Sequence, residues 1–122
     1  MKESIKFESA ACSINIAADN SMEIEEHPPS FQLQRYAGLA MNVMRMANDA
    51  PHNGEMHPNG DEIIHVLSGR FRVTLDSPES RVIEVNAGEG IIIRRGVWHK
   101  IHILEPCMLV TLTPGPDFEY RL

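Results

Sequence analysis

Gly54-Glu55-Met56-His57-Pro58-Asn59-Gly60-Asp61-Glu62 is answered some forty residues later by Arg95-Gly96-Val97-Trp98-His99. Two histidines and two carboxylates stand here around turn glycines. Glu55 and His57 are two apart, so on extended backbone both point to one side. Pro58-Asn59-Gly60-Asp61 is a turn signal. Glu62 follows it and opens the apolar run Ile63-Ile64-His65-Val66-Leu67. A hairpin-like bend at that turn brings Glu62 back beside His57. In the second stretch His99 shares its parity with Val97, Ile101 and Ile103, whereas His102 goes with Trp98, Lys100 and Leu104. Alternation therefore turns His99 toward an apolar interior and His102 outward.

A histidine in an apolar interior needs partners for its nitrogens. A buried carboxylate needs them more, because an unpaired buried charge is costly. A divalent metal meets both requirements. Two imidazoles and one carboxylate form the facial triad typical of non-haem Fe(II). The same donors also suit catalytic Zn²⁺ with a position left for water. His57, Glu62 and His99 are thus candidate ligands, with Glu55 beside them. The ion is expected to be one of Fe, Mn, Zn or Ni.

Outward from these segments the chain reads as short strands. Phe31-Gln32-Leu33-Gln34-Arg35-Tyr36 alternates, as does Phe71-Arg72-Val73-Thr74-Leu75-Asp76. The turn Asp76-Ser77-Pro78-Glu79-Ser80 leads into Arg81-Val82-Ile83-Glu84-Val85, which makes a hairpin. Asn86-Ala87-Gly88-Glu89-Gly90 is the next turn, before Ile91-Ile92-Ile93. Residues 97–104 form a strand that Pro106 separates from another at 107–113, and Pro114-Gly115-Pro116 ends the last one. Leu39-Ala40-Met41-Asn42-Val43-Met44-Arg45-Met46-Ala47 has helical propensity, but its all-β surroundings favour a strand. Ser13-Ile14-Asn15-Ile16 and Met22-Glu23-Ile24-Glu25-Glu26 read as edge strands. Turns every eight to twelve residues indicate a sandwich or barrel.

These residues resemble the cupin superfamily. That family's first motif is glycine, five residues, His-x-His, three or four residues, Glu, six residues, glycine. His57, four residues, Glu62, six residues and Gly69 match it. The second motif is glycine, five residues, Pro-x-Gly, two residues, His, three residues, Asn. Gly88, Gly96 and His99 fall in register with it. The motifs and their linker span residues 49–103. The stretch from 60 to 116 looks especially like short single-domain cupins of unassigned activity. Four positions depart from the pattern. Asp49 replaces the first glycine, Glu55 the first metal histidine, Arg94 the proline and Ile103 the asparagine. Glu55 bears on function. All four side chains together make a site of two His and two Glu. If Glu55 swings away, a triad remains with a spare carboxylate. If metal is lost, the pocket takes an organic ligand. The resemblance implies an all-β, double-stranded β-helix (jelly-roll) barrel over residues 31–122. Residues 1–30 are then an N-terminal arm or edge strands.

Composition narrows the rest. One domain of 122 residues leaves no room for a second catalytic module. A net charge of -6 argues against nucleic acid, which requires clustered Lys and Arg. No apolar run reaches the roughly 18 residues of a membrane span. The N-terminus lacks a signal-peptide core, and Cys12 and Cys107 match no zinc or redox spacing; a cytoplasmic protein with reduced thiols is expected. His52 and His27 read as solvated loop residues, and His65 as an outer-face residue. Seven methionines read as core filler. Arg70 and Arg72 read as surface charge. Ile63, His65, Leu67, Trp98 and Leu104 make an outward face too apolar for water, to be covered either by the N-terminal segment or by a second subunit, and a homodimer is the economical reading.

Two functions follow. One is a metal-dependent enzyme on a small organic molecule, most simply a dioxygenase or a related lyase or isomerase, with Glu55 the nearest general base. The other is a non-catalytic ligand-binding or metal-sequestering module.

Overall fold

A computed structural model describes residues 3–26, 37–76 and 78–122. The expected strand at 31–36, His27 and Ser77 lie outside these residues. Nine strands are described and no helix: β1 Cys12–Ile16, β2 Met22–Glu26, β3 Leu39–Met46, β4 Glu55–Met56, β5 Glu62–Asp76, β6 Ser80–Asn86, β7 Gly90–Ile93, β8 Trp98–Pro114 and β9 Glu119–Tyr120. β3 is a strand despite its Ala, Leu and Met. It pairs along its whole length with β8, and that pairing overrides local propensity.

β5 and β8 are longer than their sequence suggests. Gly69 and Pro106 read as breaks between four separate strands, yet each lies inside one continuous strand. The two residues meet where both strands bend. Register shifts fall between Val66 and Phe71, and bulges of this kind let a strand pass from one layer to the next. Gly69 has φ +79°, and a Cβ there would lie 2.1 Å from the Pro106 carbonyl oxygen.

The bend divides the molecule into two layers. The first half of β5 and the second half of β8 join β7, β3, β1 and β2. The second half of β5 and the first half of β8 join β6, β4 and β9. The core lies between them and contains Ile64, Val66, Phe71, Val73, Val85, Ile93 and Leu109. Full burial of each such side chain contributes roughly 1.5–3 kcal/mol. This is the double-sheet jelly roll, with β1 and β2 extending the β3 edge.

The first layer carries its polarity inside out. Ile92, Ile63, Leu112, Met41, Ile14 and Ile24 stand in one register row across six strands. Ile24, Ile63 and Ile92 of this row are exposed at 39%, 39% and 54%, whereas Ile14 in the same row is buried at 7%. The inner face takes the polar residues Ser13, Asn15 and Thr111, all of them buried.

Candidate metal centre

Four side chains converge between the layers. Glu55 comes from the short strand β4, which is held between His99 of β8 and Tyr120 of β9. His57 follows in the loop, and Glu62 opens β5. One ligand atom from each of Glu55, His57, Glu62 and His99 lies within 4.8 Å of the other three. His57 Nε2 is 3.4 Å from Glu62 Oε2 and 3.9 Å from Glu55 Oε1. His99 Nε2 is 3.3 Å from Glu62 Oε1 and 3.4 Å from Glu55 Oε1. Donors bonded to one ion at about 2.0–2.2 Å stand roughly 3–3.6 Å apart in octahedral or tetrahedral arrangements. Three of the four separations fit that spacing.

Among the described residues, His57 Nε2, His99 Nε2 and Glu62 Oε1 are buried and have no hydrogen-bond partner. Each such group costs roughly 1–3 kcal/mol when desolvated without compensation. Neighbouring contacts fix orientation instead. His99 Nδ1 lies 3.0 Å from the Val97 carbonyl oxygen. A carbonyl only accepts, so Nδ1 carries the proton and Nε2 is the nitrogen offered inward. The Thr113 hydroxyl donates to Glu62 Oε2 at 2.8 Å. Gly96 N donates to the His57 carbonyl at 3.0 Å and so ties the two motif loops together. Gly54 sits at φ +131°, where a Cβ would come within 3.2 Å of the His99 carbonyl oxygen.

Charge balance follows from this packing. Burial opposes ionisation of Glu62, but the His57 and His99 rings that face it at 3.3–3.4 Å outweigh burial and hold the carboxyl at about 2. Burial likewise opposes charge on His99. Its contacts with Glu55 and Glu62 prevail and raise it to about 10. The cluster thus sets an ionised Glu62 against a His99 that keeps its proton.

The departures from the family pattern are compensated. Asp49 accepts a 2.7 Å hydrogen bond from Ile103 N and lies 3.3 Å from His102 Nδ1. Its side chain thereby fastens the incoming loop to β8. Arg94 pairs with Asp61 at 2.9 Å, and Arg95 N donates to the same carboxylate at 2.8 Å. Arg70 is held by Glu84 and Glu105 at the surface.

Three neighbours of the site are not evident from sequence. His52 is not a freely solvated loop residue. Its ring lies 4.8 Å from that of Tyr120, its Nδ1 accepts from Gly54 N at 3.1 Å, and its Nε2 is 4.0 Å from Glu55 Oε2. Phe118 stands 6.1 Å from the His57 ring and packs edge-on against Tyr120. Burial, and then the charge of Glu55, push the Tyr120 hydroxyl up to about 12. Arg121 anchors this C-terminal segment by stacking 4.2 Å over Trp98 and pairing with Asp76 at 2.6 Å. The alternation Phe118-x-Tyr120 was the available signal, concealed behind the Pro114-Gly115-Pro116 stop.

The family model described as Cupin domain matches residues 42–113, more than half of the chain, and the chain belongs to this family. Among solved structures, oxalate oxidase in complex with the substrate analogue glycolate is similar at 23% identity and a TM-score of 0.56, covering 67% of this chain and 45% of that one. A cupin-2 domain protein from Shewanella frigidimarina is similar at 22% identity and a TM-score of 0.53, covering 62% of this chain and 70% of that one. The oxalate decarboxylase of Bacillus subtilis, a protein with Mn(II) centres, is similar at 18% identity and a TM-score of 0.58, covering 70% of this chain and 24% of that one. At such identities the likeness is one of fold, and the chain spans under half the length of either oxalate enzyme. No protein curated for its function matches the chain.

Proposed function

We propose that the protein binds one divalent metal ion through His57, Glu62, His99 and Glu55 and acts on a small organic molecule as a dioxygenase-like enzyme. The observation that carries this reading is the convergence of three buried, unpaired donor atoms: His57 Nε2, His99 Nε2 and Glu62 Oε1. Two carboxylate donors make the site harder and more anionic than three histidines would, which favours Mn²⁺ or Fe²⁺. When bound, such an ion supplies Lewis acidity toward a substrate oxygen and, for iron, access to O₂ chemistry. The similarity to a Mn(II)-containing oxalate decarboxylase agrees with that preference.

The roles of the chain's own residues follow from their surroundings. Glu62 and His99 are the fixed members, held by Thr113 and by the Val97 carbonyl. Glu55 is the most accessible of the four, with 23% of its side chain exposed. Its Oε1 faces the two histidines and its Oε2 faces His52. A carboxylate so placed takes up a substrate proton as general base. Phe118 and Tyr120 wall one side and limit water there. The outward apolar row through Ile63 and Ile92 supports a homodimer that buries it.

Metal analysis of protein purified without affinity tag or chelator tests the reading. One equivalent of Mn or Fe per chain is expected. A chain that carries no metal and takes up none from added Mn²⁺, Fe²⁺, Zn²⁺ or Ni²⁺ overturns it.

A further inference from the structure

Thr113 bonds Glu62, so its side chain lies on the inner face of the first layer. Thr111, two residues back on the same strand, lies on that face as well. The register carries the face onward. Thr113 pairs with Ala40 and Ala40 with Asn15, while Thr111 pairs with Asn42, whose side chain accepts from Ser13 Oγ. A continuous polar wall therefore runs from Glu62 across β8 and β3 to β1.

Part of this wall is satisfied internally. Ser13 Oγ bonds Asn42 Oδ1, and Asn15 Nδ2 bonds Glu25. Two atoms are not: among the described residues, Asn15 Oδ1 and Thr111 Oγ1 are buried without a partner, on residues only 6% and 7% exposed. Ala40 separates Asn15 from Thr113 in the register and contributes only a methyl between the two polar side chains. An unmet buried hydroxyl costs roughly 1–3 kcal/mol, and valine would fill the place of Thr111 without that cost. A fold that keeps such groups breaks a stability rule where function resides.

We infer that this wall is the ligand's second anchoring surface, and that it reads the uncharged hydroxyl or carbonyl end of a neutral, polyhydroxylated small molecule. The inference rests on the metal-site reading for the ligand's other end. The wall residues Ser13, Asn15, Asn42, Thr111 and Thr113 are all neutral. The carboxylates of Glu62 and Glu25 bracket them, and among the described residues no lysine or arginine joins them. Away from the metal, an anionic group at these residues would be desolvated beside carboxylates. A hydroxylated chain or ring instead donates to Asn15 Oδ1 and exchanges hydrogen bonds with the Thr111 hydroxyl.

The test uses the full chain loaded with Mn²⁺, with xylitol, D-ribose and oxalate as probes in calorimetric titration and thermal melting. Wild type should bind xylitol or D-ribose, and oxalate, which chelates the ion itself, should bind wild type and both wall variants alike. Thr111→Val and Asn15→Leu should each load Mn²⁺ as wild type does and weaken the neutral probe roughly tenfold per lost hydrogen bond. Without probe, Thr111→Val should melt at or above the wild-type temperature. No binding of either neutral probe, neutral-probe affinity unchanged in both variants, or a Thr111→Val variant that melts several degrees lower overturns the inference. A chain that refuses Mn²⁺ overturns the metal reading alone. The neutral-probe titration and the Thr111→Val melt on the metal-free chain then still decide this one.

Discussion

The Thr113 hydroxyl donates to Glu62 Oε2 at 2.8 Å, and this one contact joins the polar inner face to the candidate metal centre. It fixes the carboxylate whose other oxygen, Oε1, is left without a hydrogen-bond partner. Groups that orient a ligand in this way typically govern 10- to 100-fold, roughly, in metal affinity. Thr113→Val should therefore retain the fold and weaken Mn²⁺ binding by about tenfold. Competition against a fluorescent chelator measures this. Unchanged affinity would mean that Glu62 is oriented by its histidine neighbours alone.

Gly69 provides a stability test at the bend. A methyl added there meets the Pro106 carbonyl oxygen at 2.1 Å, on backbone with φ +79°. Gly88 also has positive φ, +86°, but has nothing within 4 Å of the added carbon. Gly69→Ala should cost about 3 kcal/mol or more, and Gly88→Ala about 1 kcal/mol. For a domain of this size the first should lower the melting temperature by about 10 °C. Similar losses at both positions would show that backbone strain alone is at work and that the Pro106 contact relaxes.

The two-motif core of the site could be read from sequence because its chemistry restricts residue type. Buried donors must be His, Glu or their like, and the turns that deliver them need glycine. The length of β5 and β8 could not be read. Gly69 and Pro106 are ordinary strand breakers, and only their three-dimensional opposition turns two breaks into one bend. The polar wall was hidden for another reason. Ser13-Ile14-Asn15-Ile16 alternates, but alternation defines two faces without saying which is inside. The usual assignment puts Asn15 in water and Ile14 in the core. Here both are buried, Asn15 at 6% and Ile14 at 7% exposure, and Asn15 stands in one register row with Ala40 and Thr113, beside Glu62.

The apolar row through Ile63 and Ile92 leads to the assembly prediction. Ile63, Leu67 and Ile92 are 39%, 51% and 54% exposed on neighbouring strands. Light scattering should give twice the 13.7 kDa chain mass. Ile63→Glu combined with Ile92→Glu should yield a folded monomer, since burying two carboxylates in an apolar contact is prohibitive. A wild-type monomer would contradict the homodimer outright. A double variant that stays dimeric would place the interface elsewhere.

The metal-free protein should have a defined pH window. His99 is raised from 6.5 to about 10, so its contribution to stability is complete below 6.5 and is lost as pH rises through 10. Glu62 is lowered from 4.5 to about 2, so its contribution is complete above 4.5 and is lost as pH falls through 2. Both are in force between 4.5 and 6.5, where melting of the chelator-treated protein should peak. Metal binding needs the His99 Nε2 proton to leave, so at pH 7 uptake should release about one proton per ion. Affinity should accordingly rise with pH. Calorimetric titration in buffers of different ionisation enthalpy counts the proton. A count of zero would mean that His99 is already neutral in the apo protein.

Glu55 is the residue on which metal preference and chemistry should turn. It stands 3.4 Å from His99 Nε2 and 3.9 Å from His57 Nε2, where the family pattern has an imidazole. Glu55→His removes one negative charge and a hard oxygen donor. It should keep or tighten metal binding while shifting preference from Mn²⁺ and Fe²⁺ toward nitrogen-favouring Zn²⁺ or Ni²⁺. Glu55→Gln preserves shape but gives up the charge and the basic oxygen. It should leave a metal still held by His57, Glu62 and His99, with affinity reduced by roughly tenfold and turnover reduced by about 10²–10⁴, the usual contribution of a general base. Metal competition read by mass spectrometry follows the first effect, and single-turnover assays on any substrate found follow the second. Should both variants keep wild-type metal content, preference and rate, Glu55 would be a packing residue between His99 and Tyr120, and the centre would reduce to His57, Glu62 and His99.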